Sequence, residues 1–354
     1  VATERAAAGH VPELDGLRAI SVAAVAYSHW LPAWQFGLPL GAGVHLFFVL
    51  SGFLITRILL DARQATDRRA AVARFFVRRV LRLFPAFYVV LALAWVAGVP
   101  LARSTWPWHA GYLSNVFIAW QGTWQGHFSH FWSLAVEQQF YLAWPWFIVW
   151  APARWLGPGL WAAVLAGPLA RGAAAWNGRD EPFWALVPGG SADSLGVGAL
   201  MAWAAWRGDP RQPAIWRVAA LSGVAGWVGM AAVEHAGWRL PVALAVWRQL
   251  LQAAIFGAIV WHAVRGVGGM PGRVLAHPIT VGVGRISYGV YLVHPFAPLV
   301  LAAVVSQLGG ADVFSWPAAL RAAAAWAASL GLAGLLWVLV ERPAQRLKAR
   351  RPVA

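Results

Sequence analysis

Apolar residues fall along this chain in long runs, and its polar residues gather mostly between them. Several runs reach the roughly 20 residues that an α-helix needs to cross a bilayer. The pattern predicts ten membrane-spanning helices, near residues 17–36, 42–60, 80–96, 133–151, 158–176, 187–206, 215–233, 241–264, 279–305 and 318–340. The expected fold class is all-α, a polytopic integral membrane protein. Residues 99–131 interrupt the series with Pro100, Pro107 and scattered Trp and Gly. Their weak apolar patch, Leu113 to Trp120, is too short to span and is expected to lie re-entrant or interfacial on the outer side.

Charge sets the orientation. Arg57, Arg63, Arg68, Arg69, Arg74, Arg78, Arg79 and Arg82 crowd the end of the second run, the connector and the start of the third. Arginines concentrate on the cytoplasmic side of membrane proteins, so this connector and, two crossings earlier, the N-terminus are expected inside. Counting Leu113–Trp120 as a span would place the tail with Arg342, Arg346, Lys348, Arg350 and Arg351 outside, so both termini are read as cytoplasmic. The N-terminal segment lacks the basic region and short apolar core of a cleaved signal. With no internal repeat evident, residues 1–354 are expected to form a single membrane domain, with a short N-terminal tail, 1–14, and a basic C-terminal tail, 342–354.

Composition agrees. The chain is 60% hydrophobic and 12% charged, with a mean hydropathy of +0.58, whereas soluble domains are about a quarter charged. The formal net charge of +15 is explained by topology, so the bilayer, and no nucleic acid, is the expected partner. The chain has no cysteine, which excludes disulfides, thiolate metal sites and cysteine nucleophiles.

Against this background the polar residues inside the runs are conspicuous. His29 sits within the first run, and Arg18 opens it. At ~1.5 Å and ~100° per residue the two share one helical face, roughly 16 Å apart. An intramembrane ionisable group is costly and is a candidate for function, although a lone histidine also serves as a hydrogen-bonded core residue. Glu137 and Asp193 are the acids at or inside helices, and Arg248, Arg285 and His294 are further buried candidates. Mutual neutralisation is the plain alternative, with Asp193 and Arg248 as a structural pair. Ser51-Gly52 puts small residues into the second helix, where another backbone or a ligand can approach. Arg79 and Arg82, three apart on one face, present forked guanidinium groups of the kind that suit phosphate oxygens.

Other chemistries fit less well. His127-x-x-His130 lacks a nearby carboxylate, so no metal is expected. Ser51 stands in VLSGF rather than in a protease turn. A transporter or flippase would also keep charges at the membrane midplane, but repeated halves are not evident and the arginine cluster is one-sided.

The chain resembles the membrane-bound acyltransferase 3 family, which includes O-acetyltransferases of bacterial surface polysaccharides, Nod-factor acetylases and macrolide acyltransferases. The resemblance runs from about Glu13 to Arg342 and rests on ELDGLRA with Arg18 and His29, FFVLSGFLIT, and Arg79-x-x-Arg82 before Leu83-Phe84-Pro85. It continues through Trp132-Ser133-Leu134 with Glu137, Ile286-Ser287-Tyr288 with Tyr291 and His294-Pro295, and Glu341-Arg342-Pro343. One departure is His45, where most members carry an acid. The resemblance implies transfer of an acyl group, acetyl by precedent, from cytoplasmic acyl-CoA to a hydroxyl of a carbohydrate or glycosylated acceptor at the bacterial inner membrane. His29 and Glu137 are then the expected catalytic residues, with His29 as general base. Arg18, Arg79, Arg82 and Ser51 are expected to hold the acyl-CoA, and Asp193, Tyr288 and Trp132 the acceptor. In this reading Glu137 lines the acceptor entrance together with Trp124, Trp132 and Tyr141.

Overall fold

The computed structural model describes residues 10–35, 39–310 and 312–350. Among these the chain is helical throughout, with no strand. Helix α1 (Pro12–Trp30) begins on a proline, whose missing N–H costs nothing in a first turn. It ends where Leu31 precedes Pro32, because a residue before proline is driven out of the α region. The helix is therefore shifted towards the N-terminus relative to the 17–36 expected from hydropathy. His29 consequently lies in its last turn rather than near its middle. Phe36, the expected last residue, lies outside the described residues.

Helix α2 (Gly43–Gln64) matches its expected run. Helix α3 (Arg68–Val96) does not, because the arginine-rich connector forms its first turns. The Asp67 carboxylate caps it by accepting the Ala70 N–H at 2.9 Å, and Ala, Leu and Arg are good helix formers. Arg79 and Arg82 are thus fixed on a long helix and not carried by a loop. Two short helices follow, α4 (Ala102–Ala110) and α5 (Ser114–Gln121), where the interfacial segment was expected. An 8-residue helix is only ~12 Å long, too short to cross a bilayer.

Beyond these come α6 (Phe131–Trp150), α7 (Ala153–Trp176), α8 (Ala192–Trp206) and α9 (Gln212–His235), near their expected positions. The run at 241–264 is interrupted, giving α10 (Val242–Ala245) and α11 (Arg248–Arg265). Helices α12 (Gly269–Leu275) and α13 (Pro278–Arg285) are short. The single helix expected at 279–305 is broken. Helix α14 (Ser287–Val293) and α15 (Ala297–Gln307) bend by 68° around His294-Pro295. Pro295 and Pro298 remove two helical N–H donors there. Helix α16 (Ala318–Leu336) continues through one π-turn, Trp337–Glu341, into α17 (Arg342–Arg350), so most of the expected C-terminal tail is helix.

Five of the described helical segments are long and apolar enough to cross a membrane, or six if the bent α14–α15 pair is one span. Helix α8, with 15 residues, reaches only ~22 Å against a ~30 Å hydrocarbon core. Helices α1 and α6 carry the polar residues that make them candidates for chemistry, and these lower their hydropathy.

Helices α2 and α8 make the most extensive pairing in the fold. Gly52 faces the Leu195 carbonyl and Gly198 faces the Val49 carbonyl, each so closely that a Cβ would strike the opposing oxygen. The small residue that the sequence offers in α2 thus admits a neighbouring backbone. The central core draws Val22 from α1, Phe48 from α2, Phe87 from α3, Phe131 from α6, Val290 from α14 and Leu336 from α16. Those helices also carry most of the candidate site residues.

Candidate active site

Two cavities flank this core, called inner and outer after the sides on which the sequence reading expects them. The inner one is lined by Arg18 of α1, Ser51 of α2, Arg79 and Arg82 of α3, Glu137 and Tyr141 of α6, and Tyr288 of α14. The outer one, which is the larger, is lined by His29 and Trp30 of α1, by Trp124, His127 and His130 of the loop before α6, and by Trp132. Val44 and Tyr291 belong to both linings, so they form a wall that the two cavities share.

Three guanidinium groups converge on the inner cavity. Arg18 is held by Asp15 at 2.9 Å, and the other carboxylate oxygen of Asp15 lies 2.5 Å from His10. Arg79 lies over the rings of Tyr141 and Phe75, with its guanidinium carbon 5.5 and 5.7 Å from their centroids. Stacking of this kind orients the planar fork while leaving its N–H edges free. Beneath Arg79, Tyr141 donates to the Ser51 hydroxyl at 3.2 Å, and Ser51 donates to the Glu137 carboxylate. Tyr288 spends its hydroxyl on the Leu83 carbonyl at 2.8 Å, tying α14 to α3. The result is a cleft with more cations than carboxylates, suited to a polyanion such as a phosphate chain.

His29 is exposed to the outer cavity. Its Nδ1 lies 2.8 Å from Nε2 of His294, with the ring planes 10° apart. Nδ1 of His294 lies 2.7 Å from the carbonyl of Tyr291. A carbonyl only accepts, so Nδ1 of His294 carries the hydrogen and, in the neutral ring, Nε2 is the acceptor. Nδ1 of His29 is then the donor in its bond to His294, and its Nε2 keeps a free lone pair. No described residue hydrogen-bonds that Nε2. The arrangement has the logic of a base oriented by a second group. His130 packs against the pair, its ring centroid 5.2 Å from that of His294, while its Nε2 donates to the Leu292 carbonyl at 3.2 Å.

The predicted residues are therefore sorted rather than gathered at one point. Arg18, Ser51, Arg79, Arg82, Glu137 and Tyr288 share the inner cavity, while His29 and Trp132 share the outer one. Three placements depart from expectation. Tyr288, expected to hold the acceptor, lines the arginine cavity, because its hydroxyl is drawn to the Leu83 carbonyl of α3. Glu137 and Tyr141 stand among the arginines, not at the acceptor entrance with Trp124 and Trp132. Asp193, fully buried, lines neither cavity and does not pair with Arg248. Its carboxylate takes Arg171 at 2.6 Å and Gln249 at 2.9 Å, while Arg248 reaches Glu234 at 2.5 Å and Glu181 at 3.1 Å. One step of sequence separates Arg248 from Gln249, and on a helix that step turns the side chain by ~100° to another face. Arg171 stands inside the apolar stretch LAGPLARGAAAW, where the cost of an intramembrane cation is a readable signal. The partnership of His29 with His294 has no such signal, because 265 residues separate them. His45 lines neither cavity, and its Nδ1 is buried without a hydrogen-bond partner among the described residues.

Comparison with known proteins decides what this arrangement belongs to. The family model described as "Acyltransferase domain", of the acyltransferase 3 type, matches residues 11–338. The chain belongs to the acyltransferase 3 family. Both cavities lie within the span matched to that family. Among relatives, the "Peptidoglycan O-acetyltransferase OatA" of Listeria monocytogenes is 35% identical over 163 residues, which cover 42% of this chain and 25% of that protein. YrhL of Bacillus subtilis, whose name proposes the same activity, is 38% identical over 156 residues, covering 40% of this chain and 24% of that protein. These alignments thus span about a quarter of the length of each relative. No solved structure matches the chain.

Proposed function

We propose that this chain is a multi-pass O-acyltransferase of the bacterial inner membrane. It takes an acyl group, acetyl by family precedent, from cytoplasmic acyl-CoA and transfers it to a hydroxyl of a carbohydrate or glycosylated acceptor. Ten crossings with both termini cytoplasmic, the shorter helices included, complete the reading. The observation that carries it is a pair of cavities on the two sides of Val44 and Tyr291, one rich in arginine and the other holding an accessible imidazole. The names of the relatives, which describe O-acetyltransferases acting on peptidoglycan, favour a glycan acceptor.

In this mechanism the CoA phosphates rest on Arg18, Arg79 and Arg82, and Tyr141, tied through Ser51 to Glu137, orients the Arg79 guanidinium. From Arg18 to His29 is about 16 Å along α1, a distance that an extended pantetheine arm covers. The thioester passes between Val44 and Tyr291 into the outer cavity. There the Nε2 lone pair of His29 takes the proton from an acceptor hydroxyl as its oxygen attacks the thioester carbon. Collapse of the tetrahedral intermediate breaks the C–S bond, and the departing thiolate takes the proton back from the imidazolium. General base work of this kind contributes about 10²–10⁴-fold. A flippase would account for the cavities but gives no role to a base held by a second imidazole. No step uses a metal, and no metal-binding cluster of three or more ligands occurs among the described residues.

The test uses purified protein in lipid nanodiscs with radiolabelled acetyl-CoA and a panel of soluble oligosaccharides. Label moves to an acceptor with the native chain and falls at least a hundredfold in His29→Ala. Robust acceptor-dependent transfer by His29→Ala refutes the mechanism. Retention of label on protein without acceptor, lost in His29→Ala, replaces direct transfer by an acyl-histidine route.

A further inference from the structure

Arg321 is not used by this mechanism, yet it lines the outer cavity together with His29. It lies in the first turn of α16, where a cation gains nothing from the helix dipole. Its Nη1 donates to the Phe314 carbonyl at 3.1 Å, and no other hydrogen bond holds it among the described residues. None of the ion pairs among the described residues includes it. No Asp or Glu contributes to the cavity lining, so the guanidinium is the one fixed charge facing that space among the described residues. The lining also includes three indoles, Trp30, Trp124 and Trp132. Indole faces suit the apolar faces of sugar rings, and a guanidinium fork suits a carboxylate or phosphate. Under the topology above this end of α16 is outside, where arginines are scarce, so its presence there calls for a local reason.

We infer that Arg321 forms an anion subsite of the acceptor cavity, and that the acceptor is an acidic glycan carrying a uronate or sugar phosphate near the acylated hydroxyl. The inference rests on the outer cavity being the acceptor site. It does not rest on the chemistry at His29. An anionic lipid headgroup offers similar chemistry, but it would not use the indoles and the imidazole that share the cavity.

Binding separates these outcomes. The full chain in zwitterionic nanodiscs is titrated with cellotetraose, its C6-oxidised uronate form and its 6-phosphate. The native chain binds the two acidic forms about tenfold more tightly than the neutral one, a preference that fades with added salt. Arg321→Gln loses the preference but keeps the neutral affinity, and Arg321→Lys keeps part of the preference. Equal binding of the three probes by the native chain, no binding of any, or an unchanged preference in Arg321→Gln overturns the inference. Abolition of the preference by phosphatidylglycerol in the discs, at matched ionic strength, assigns Arg321 to lipid and also overturns it. A clear preference in a chain that transfers no acyl group would refute the proposed function alone.

Discussion

Replacing His294 by phenylalanine tests whether the two imidazoles work as a unit. The native pair makes two hydrogen bonds, His29 to His294 at 2.8 Å and His294 to the Tyr291 carbonyl at 2.7 Å. Phenylalanine fills the volume and removes both. In the resting state the first bond joins two neutral rings, a net value of about 1 kcal/mol. As His29 takes the acceptor proton that bond becomes charge-assisted, and bonds of this class are worth about 1.5–3 kcal/mol. Only the difference, about 1–2 kcal/mol, acts on the rate, because an interaction equal in ground and transition states does not lower the barrier. The expected loss in kcat is roughly 5–30-fold, with the KM for donor and acceptor little changed.

The assay is acetyl transfer to a soluble oligosaccharide in nanodiscs, with thermal stability measured alongside to exclude misfolding at the break between α14 and α15. Residues that act as a unit are non-additive, so His294→Phe imposes no further loss on His29→Ala. His294→Gln, which offers an amide oxygen to His29, falls between native and His294→Phe. Full activity in His294→Phe, or an equal further loss on top of His29→Ala, would refute the coupling drawn from the geometry.

Four further outcomes follow from other parts of the structure. Arg79→Gln and Arg82→Gln each raise the KM for acetyl-CoA at least tenfold, as removal of a charged hydrogen bond worth about 1.5–3 kcal/mol requires, and steady-state kinetics checks this. Gly198→Val drives a side chain into the Val49 carbonyl and costs about 1–3 kcal/mol or more by overpacking, read as a lowered midpoint in thermal unfolding. Asp193→Leu strands the Arg171 guanidinium and costs about 3–5 kcal/mol, whereas Asp193→Leu with Arg171→Met recovers most of it, again by thermal unfolding. Burial in α4, outside the spanning segments, holds the His109 imidazole down at about 4. The unfolded chain, with its histidine near 6.5, then binds more protons, so stability is complete above about 6.5 and falls as pH drops towards 4. The loss reaches up to ~3 kcal/mol, and His109→Gln removes this part of the pH dependence.

Hydropathy made the helical fold legible, and the boundaries moved where local chemistry outweighed it. Pro32 ends α1 before its apolar run ends, and Asp67 starts α3 before its apolar run begins. Pro295 and Pro298 bend what reads as one helix, because a hydropathy average does not register a missing N–H. The cost of intramembrane charge made Arg18, Arg79, Arg82, Glu137 and His29 legible as candidates. It did not supply their sorting into two cavities, which depends on helix rotation. Glu137 illustrates the limit. Its place in the sequence puts it near the outer end of α6, but its side chain meets Ser51 of α2 and shares a cavity with Arg79 of α3.

The break at His294-Pro295 is the feature that connects these points. Were residues 279–305 one straight helix, the Tyr291 carbonyl would be engaged by the N–H of residue 295, four positions on. Proline at 295 has no N–H, so that carbonyl is free to accept from His294 itself. The same proline therefore bends the helix away and, by leaving one acceptor open, fixes the tautomer of His294. That tautomer dictates which nitrogen of His29 stays unpaired. Replacing Pro295 by alanine restores a competing backbone donor to the Tyr291 carbonyl. A purely structural hinge would lose stability on that change, whereas a hinge that also sets the base would lose kcat in the direction of His294→Phe.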